Sequence, residues 1–323
     1  MANFTDEAMW NFTASCTEFI PQPVDFTDPF NCILLLFGLT GLIGNAIVIV
    51  VIISTKALRS KMTYQLVCNL AISDLISSVF MIPRPDIFYD QSFIMEIVCR
   101  VYGTNFPFWT SLTASEMGLL MIAVDRYWAI ATPFKYKSIV FSSKRYILLM
   151  FPWMYAVLVQ MFGWFVRRVD DCGKCREFFN WQYALLLMGI NIFLFTYLVP
   201  ITCLLITYYR TIQAMTTMTR NMDKYQQGKA SETLTKTKMK MTWVFFALTV
   251  VFIITWTPDQ VLLLYYTTMY KLDYTTKPEI YTNIFTLVAF TNCLLNPFVY
   301  AFTQNTVRRK LGINCKKTKT QTD

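Results

Sequence analysis

The chain has 323 residues, of which 55% are hydrophobic and only 15% are charged, a composition that indicates a polytopic membrane protein rather than a soluble domain. It contains no histidine, so the usual metal ligand and the usual general base near neutral pH are missing, and we do not expect an enzyme. The net charge of +9 arises mainly in predicted cytoplasmic loops, where it favours contact with anionic lipid and cytosolic partners rather than nucleic-acid binding.

Seven largely apolar stretches, each of roughly 20 residues or more, are long enough to cross the hydrocarbon core of a bilayer as helices. We place them near 30–54, 64–88, 98–124, 146–166, 182–208, 242–267 and 280–303. The predicted fold is therefore an all-α membrane protein with a seven-transmembrane helix bundle over 30–303.

The N-terminal tail, 1–29, is predicted to be extracellular. It contains no Lys or Arg, whereas most of the basic residues lie in the connections after the first, third and fifth stretches and in the C-terminal tail, which places those parts in the cytoplasm. Asn3 and Asn11 each begin a glycosylation sequon, which fits an outside location. The tail has no cleavable signal pattern, and we expect a multi-pass protein of the plasma membrane.

Short motifs are distributed along all seven stretches. In chain order they are Gly44-Asn45, Asn69-Leu70-Ala71, Ser73-Asp74, Asp125-Arg126-Tyr127, Trp153, Pro200, Tyr208, Thr255-Trp256-Thr257-Pro258, Asn292 and Asn296-Pro297-Phe298-Val299-Tyr300. Together these motifs resemble the rhodopsin-like (class A) G-protein-coupled receptors, most of all the peptide-receptor branch. The resemblance extends through nearly the whole chain, and it implies an extracellular ligand and a heterotrimeric G protein as partners.

The resemblance implies an activation switch at the inner end of the bundle. Arg126 would pair with Asp125 at rest and be released to meet the G protein. The residues assigned to activation and coupling in this way are Asp125, Arg126, Tyr127, Phe134, Tyr208, Phe252, Trp256, Pro258, Asn296, Pro297 and Tyr300. Relatives often add an acid at the inner end of segment six, where this chain has Lys236, Lys238 and Lys240, so we expect ligand-independent signalling.

Glu116 is a departure from the family pattern, which has an aliphatic side chain at this position between Pro200 and Phe252. A carboxyl group in the middle of a membrane helix is costly, and in its protonated form it would donate a hydrogen bond between helices. We expect Glu116 to tune activation; the alternative is a purely structural hydrogen bond.

The resemblance also implies an allosteric sodium ion held by Asp74, Ser115, Asn292 and Asn296, and no other cofactor. The alternative is a polar cluster that joins helices without an ion. Cys99 resembles the family's disulfide partner of the second outer loop, where either Cys172 or Cys175 would complete the bond. The gap from Cys99 to Arg126 is about two residues longer than usual in the family, which affects the alignment of the outer half of segment three.

Two residues that other branches of the family use for their ligands are missing from this chain, which argues against an amine or a retinal ligand. Amine receptors carry an acid at the position of Phe108, and light-sensing members carry a lysine at the position of Phe290. The candidate pocket consists of Arg84, Phe88, Phe108, Trp109, Asp259, Gln260, Leu263, Thr286 and Phe290, with Asp259 as counter-ion for a cationic group or, alternatively, in a structural pair with Arg84. A neuropeptide is the favoured ligand. The alternatives are a lipid, a non-aminergic small molecule, an orphan constitutive signaller or a membrane transporter.

The cytoplasmic side carries the remaining candidates. Phe134 follows the Arg126 motif at a place where receptors of this family insert a bulky apolar residue into the G protein. Ser and Thr residues of the third inner loop are candidate targets of receptor kinases and, after them, arrestin. The region 304–323 is predicted to form a short amphipathic eighth helix on the membrane lipids, followed by a tail in which Cys315 suits S-acylation.

Overall fold

The computed structural model describes residues 21–140, 142–177, 184–224, 229–269 and 279–303. These residues contain eleven α-helices and one β-hairpin. The helices are α1 (Pro29–Ser54), α2 (Lys56–Arg59), α3 (Met62–Met81), α4 (Phe93–Val98), α5 (Phe106–Ala131), α6 (Pro133–Val140), α7 (Lys144–Val166), α8 (Ala184–Ile192), α9 (Val199–Lys224), α10 (Lys229–Met269) and α11 (Glu279–Thr303). A π-helical turn, Cys99–Gly103, follows α4, and a second, Phe193–Leu198, joins α8 to α9. The hairpin pairs β1 (Arg167–Val169) with β2 (Cys175–Glu177).

The long helices form the predicted seven-helix bundle, with α8 and α9 together as the fifth span. Helix α5 lies at its centre and packs against α3, α7, α9 and α10, while α1 packs against α3 and α11. The all-α membrane fold is confirmed. The amphipathic eighth helix, Cys315, the two sequons and the first 20 residues lie outside the described residues.

Five of the described helices are long and apolar enough to cross a membrane, and α11 contains a shorter apolar stretch, Asn283–Val299. The central helix α5 is not among them. Nearly all of α5 from Thr110 to Ala123 is buried by protein. Because its side chains meet other helices rather than lipid, α5 does not need a uniformly apolar surface.

Two predicted boundaries are wrong, one because of prolines and the other because of a left-handed residue. The second span ends at Met81 rather than near 88, because Pro83 and Pro85 cannot continue a helix. The third span does not run unbroken from 98. After the π turn the chain breaks at Asn105, which adopts a left-handed conformation (φ 53°), and α5 then begins at Phe106 with Pro107 in its first turn. This break absorbs the extra residues between Cys99 and Arg126.

Close contacts fix the position of α1. It begins with Pro29 after Asp28, whose carboxylate accepts a hydrogen bond from the Phe30 backbone N at 3.0 Å. Further along, a side chain on Gly44 would come within 3.1 Å of Pro297, so the absence of a Cβ lets α1 approach α11 there. Asn45 spans the same interface, since its amide nitrogen donates to the Cys293 carbonyl at 3.3 Å.

Candidate functional site

A cavity of about 600 Å³ lies in the outer half of the bundle. Its walls come from α5, α7, the α8–α9 span, α10 and α11. Thr104 and Arg167, at the outer ends of their helices, form its rim, while Glu116 and Trp256 lie deepest along α5 and α10. Most of the other lining residues are apolar or aromatic, an environment typical of a small-molecule or side-chain binding site.

Five of the nine residues predicted for the ligand pocket line this cavity, namely Trp109, Asp259, Gln260, Leu263 and Thr286. Phe108 and Phe290 do not: both are buried, and their rings pack edge to face with centroids 4.9 Å apart. Phe88 lies outside the cavity, half exposed, in the segment after α3. Phe108 and Phe290 therefore pack in the protein interior next to the cavity wall and do not line the cavity themselves.

Arg84 is also outside the main cavity. It lines a second cavity of about 430 Å³ near the outer ends of α1, α3 and the π turn. Its guanidinium donates to Asn105 Oδ1 at 2.6 Å and lies over the ring of Tyr102, 4.5 Å from the centroid. Asp259 instead accepts a hydrogen bond from Thr286 Oγ1 at 3.2 Å. The structural pair between Arg84 and Asp259 does not form.

Several polar lining residues escaped sequence reasoning. Gln160 of α7 donates to Thr113 Oγ1 of α5 at 2.9 Å, and both residues line the cavity. Glu116 was predicted to lie at the core switch, and it lines the floor of the cavity as well. The sequence could have indicated this position for Glu116. Trp109, Thr113 and Glu116 are separated by four and three residues, so they share one face of a helix.

The mouth of the cavity is held by a disulfide between Cys99 and Cys175, whose Cα atoms are 5.5 Å apart. This identifies the partner that the sequence left open. Cys172 is itself disulfide-bonded, but not to Cys99, and Cys32 is free. The Cys99–Cys175 bond ties the strand β2 to the π turn before α5, so it sets where the hairpin sits above the cavity.

Asp170 stabilises the hairpin from within. Its carboxylate accepts hydrogen bonds from the backbone N of Cys172 and of Lys174, at 3.0 and 2.8 Å, and forms an ion pair with Arg176 at 2.8 Å. Gly173 occupies the one left-handed position of the turn (φ 71°). This acid is therefore part of the turn structure rather than a free charge of the mouth.

A polar cluster lies in the middle of the bundle around Asp74, which is fully buried. Ser115 Oγ donates to one carboxylate oxygen at 2.5 Å, and Asn296 Nδ2 donates to the other at 2.7 Å. The neighbouring amide of Asn292 is buried, and neither its nitrogen nor its oxygen has a hydrogen-bond partner; the Asn296 side-chain oxygen lacks one too. The cluster thus combines a carboxylate, a hydroxyl and two unsatisfied amide oxygens, the hard oxygen donors that an alkali cation prefers.

At the inner end of α5, Asp125 and Arg126 form a buried ion pair, with Arg126 Nη2 at 2.5 Å from Asp125 Oδ2. Two further groups hold the same carboxylate: Thr63 Oγ1 of α3 at 2.8 Å and Tyr136 Oη of α6 at 2.7 Å. Burial and the nearby carboxylate raise the pKa of Tyr136, so its hydroxyl remains a donor at physiological pH. Neither Thr63 nor Tyr136 was found from the sequence.

The other predicted switch residues occupy the interior or the inner surface. Phe252 is fully buried one turn below Trp256, with ring centroids 6.1 Å apart. Tyr208 is buried against Phe246 and lies within 3.4 Å of the Thr249 hydroxyl. Phe134, in contrast, is 88% exposed at the start of α6.

The remaining predicted switch residues are partly described. Tyr127 is half-buried, and Pro258 and Pro297 lie inside α10 and α11. The side chains of Tyr300, Lys236 and Lys238 lie outside the described residues.

Comparison with known proteins agrees with this arrangement. The model of the seven-transmembrane receptor (rhodopsin) family matches residues 44–300. Galanin receptor 2a of Danio rerio is 27% identical, over 84% of this chain and 73% of its own length. A D(1)-like dopamine receptor of Oreochromis mossambicus is also 27% identical, over 84% and 75%, and the allatostatin-A receptor of Bombyx mori is 25% identical, over 84% and 75%. The chain therefore belongs to the rhodopsin family of seven-transmembrane receptors.

Proposed function

We propose that this receptor sits in the plasma membrane with its N-terminus outside, binds an extracellular peptide in the outer cavity, and transmits the signal to heterotrimeric G proteins. Membership of the family supports a signalling receptor and replaces the transporter alternative. The observation that carries the peptide proposal is the chemistry of the cavity: a stapled hairpin stands at its mouth, and its acids lie on α10 and at the floor rather than at the position that amine receptors use.

That position is filled by Phe108, which is buried and packs against Phe290. A small amine entering the cavity would therefore meet no carboxylate at this point of α5. Asp259, one position after Pro258, faces the cavity instead. A peptide side chain reaching down from the mouth would bring a cationic group to Asp259, while its backbone would lie near the hairpin.

The relatives bear names of both ligand types, since galanin and allatostatin-A are peptides and dopamine is an amine. A direct test applies synthetic galanin, allatostatin-A and dopamine to cells that express this receptor together with G-protein dissociation sensors. We expect a response to at least one peptide and none to dopamine. The response should weaken at least about tenfold in Asp259→Asn, because a charge-assisted hydrogen bond contributes roughly 1.5–3 kcal/mol.

Asp171→Asn is the matched control, because Asp171 is an exposed loop acid whose carboxylate accepts a hydrogen bond from the Gln91 amide nitrogen at 3.2 Å. A response to dopamine without a response to either peptide would reverse the assignment in favour of an amine. Loss of the peptide response in both acid variants would show that long-range attraction, rather than a contact in the cavity, is responsible.

For the inner face, we infer that the Asp125–Arg126 pair is the resting form of the switch. In this view Arg126 leaves Asp125 when the inner ends of the helices separate, and Phe134, exposed on α6, contacts the G protein. Receptor kinases and arrestin would then act on the same side, at the Ser and Thr residues between α9 and α10.

The polar cluster is the candidate sodium site. Asp74 would supply the negative charge, and the oxygens of Ser115, Asn292 and Asn296 would complete the coordination. The unsatisfied amides of Asn292 and Asn296 support this assignment, since each buried polar group without a partner costs about 1–3 kcal/mol. A sodium ion bound there would supply positive charge between α3, α5 and α11 and would favour the resting arrangement of these helices.

A further inference from the structure

We propose that Glu116 is the innermost anchor of the ligand site and that it takes a cationic group, an ammonium or a guanidinium, on the part of the ligand that reaches the cavity floor. This inference rests on the proposed function, because it assumes that the outer cavity is where the ligand binds. It assigns the deepest contact to an acid at a position where the family usually has an aliphatic side chain.

The first observation is the position of the carboxyl group. Glu116 is 2% exposed and lines the floor of the cavity, as does Trp256. Its Oε2 atom is buried and has no hydrogen-bond partner. A buried carboxyl oxygen in this condition is rare in folded proteins, and it marks a place where a partner from outside the chain is expected.

The second observation concerns the hydrogen-bond donors on the wall of the cavity. Gln160 donates to Thr113 Oγ1, and Thr196 donates to the Ile192 carbonyl, each at 2.9 Å. The lining base Arg167 lies at the rim, where its guanidinium donates to the Gly103 carbonyl. Among the buried side-chain donors of the described residues that line the cavity, the indole N–H of Trp256 is without a partner, and this neutral group carries no charge that could balance a carboxylate.

The ion pairs of the described residues give the same result. They join Arg100 to Glu96, Arg126 to Asp125 and Arg176 to Asp170, and none of them includes Glu116. The cavity holds a second unpartnered acceptor, the side-chain oxygen of Gln260. An ammonium has three donors and a guanidinium has five, so either group can serve a carboxylate and an amide oxygen together.

The test measures the charge at the floor without using a ligand or a G protein. Thr113→Cys places a thiol on the cavity wall three residues before Glu116, about 5–6 Å away on the helix surface. Two reagents of matched size, methanethiosulfonate ethylammonium and methanethiosulfonate ethylsulfonate, are applied from outside to cells that carry this variant. The chain without the added cysteine provides the blank for the native free cysteines.

We expect the cationic reagent to react faster than the anionic one, after correction for their rates with a free thiol. Adding Glu116→Gln should reduce this ratio at least about tenfold, since a unit charge at this distance shifts the local potential strongly in a weakly screened site. Asp171→Asn, the same change of charge on the outer loop, should leave the ratio within about twofold because exposed charges are screened. A ratio that is unaffected by Glu116→Gln, or a thiol that neither reagent reaches, overturns the proposal.

A second arm needs no substitution at Glu116 and uses Thr113→Cys combined with Asp259→Asn, which removes the charge of the other acid that faces the cavity. Benzamidinium and benzamide are nearly identical in shape but differ in charge. We expect benzamidinium to slow modification of Thr113→Cys and benzamide to have little effect. Equal protection by the two probes would mean that Glu116 takes a neutral group and would overturn the proposal. Because neither arm depends on signalling, failure of the peptide test above would leave these results readable.

Discussion

The carboxylate of Asp125 has three partners that come from three different parts of the chain: Arg126 beside it, Thr63 on α3 and Tyr136 on α6. A carboxylate with this many partners fixes the side chain of Arg126 as well, so in the resting state proposed above the whole group would hold Arg126 in place. This matters because the sequence has Lys236, Lys238 and Lys240, and no acid, between Thr235 and Met241 of α10, where relatives often have an acid that would hold Arg126 from the other side. The group around Asp125 therefore carries most of the restraint.

Removing one of these partners should raise basal signalling. Tyr136→Phe deletes the hydroxyl that donates to Asp125 at 2.7 Å and should weaken the resting state by about 1 kcal/mol, which corresponds to roughly a fivefold higher active fraction. Ligand-free activity of G-protein sensors at equal surface density measures this. Tyr146→Phe is the control, because Tyr146 is an exposed tyrosine whose hydroxyl accepts a hydrogen bond from the neighbouring Arg145 and does not contact Asp125. Equal basal signals from the two variants would contradict the proposal that Tyr136 helps to hold Asp125 and Arg126 in the resting state.

The polar cluster allows an equally direct prediction. Sodium binding to the folded state stabilises it by mass action, so the melting temperature of the purified receptor should be about 2 °C or more higher in sodium chloride than in choline chloride of the same concentration. Ser115→Ala, which removes the hydroxyl on Asp74, should abolish most of this difference.

Ser111→Ala is the matched control for the sodium effect. Ser111 lies one turn earlier on α5 and contacts Ser77 and the Phe108 carbonyl instead of Asp74. Its substitution should lower the melting temperature in both salts equally and leave the sodium-dependent difference in place. If neither the native chain nor Ser111→Ala responded to sodium, the cluster would be a hydrogen-bonded joint between helices without an ion.

At the scale of the elements, two glycines in neighbouring spans differ in how much space surrounds them. A Cβ on Gly189 of α8 would come within 2.7 Å of the Thr267 Cβ on α10, whereas a Cβ on Gly163 of α7 would meet nothing within 4 Å. Gly189→Ala should therefore lower the free energy of unfolding by about 1–3 kcal/mol through overpacking. Gly163→Ala should raise it by roughly 0.5–1 kcal/mol, because alanine is the better helix former.

Thermal melting of the two purified variants against the native chain measures these opposite signs. A fall in stability for both would mean that α7 also packs closely at Gly163. A rise for both would mean that α8 shifts freely away from α10, and the contact at Gly189 would then place no restraint on the outer cavity.

The elements also show where sequence reasoning succeeded. Apolar length located all seven spans, because a helix in lipid must satisfy its own backbone and needs a fixed number of residues to cross. It misplaced the outer ends of the second and third spans, because the prolines after Met81 and the left-handed Asn105 act locally and interrupt a pattern that stays apolar. Hydropathy does not register such breaks.

For the site, sequence position alone did not determine side-chain direction. Trp109 and Phe108 are adjacent in the chain, yet Trp109 lines the cavity while Phe108 points into the core. Contacts between distant segments, such as Thr63 and Tyr136 with Asp125, required the fold. Glu116 was conspicuous as a buried acid, but its access to the cavity became visible only once α5, α7 and α10 were in place.

Within the part of the molecule that the structure describes, three buried sites with polar side chains lie along α5. The cavity, the Asp74 cluster and the Asp125 group all use side chains of α5, at its outer, middle and inner levels. Each level also touches a different set of neighbours, since the outer level meets α7 and α10, the middle meets α3 and α11, and the inner meets α3 and α6. A displacement of α5 relative to any of these neighbouring helices would change contacts at all three levels. This arrangement suits a receptor that must link ligand binding on the outer side to a change on the inner side.

The placement of α5 has a consequence for how the protein is made. Helices leave the translocation machinery for lipid according to their own hydrophobicity, and acids and arginine at their centre oppose this step. Helix α5 carries Glu116, Asp125 and Arg126 and falls short of the hydropathy that five of the other spans reach. It therefore depends on earlier spans, above all α3, to shield it during synthesis. Substitutions on the α3 surface that faces α5 should accordingly reduce the yield of inserted protein even where the finished receptor would tolerate them.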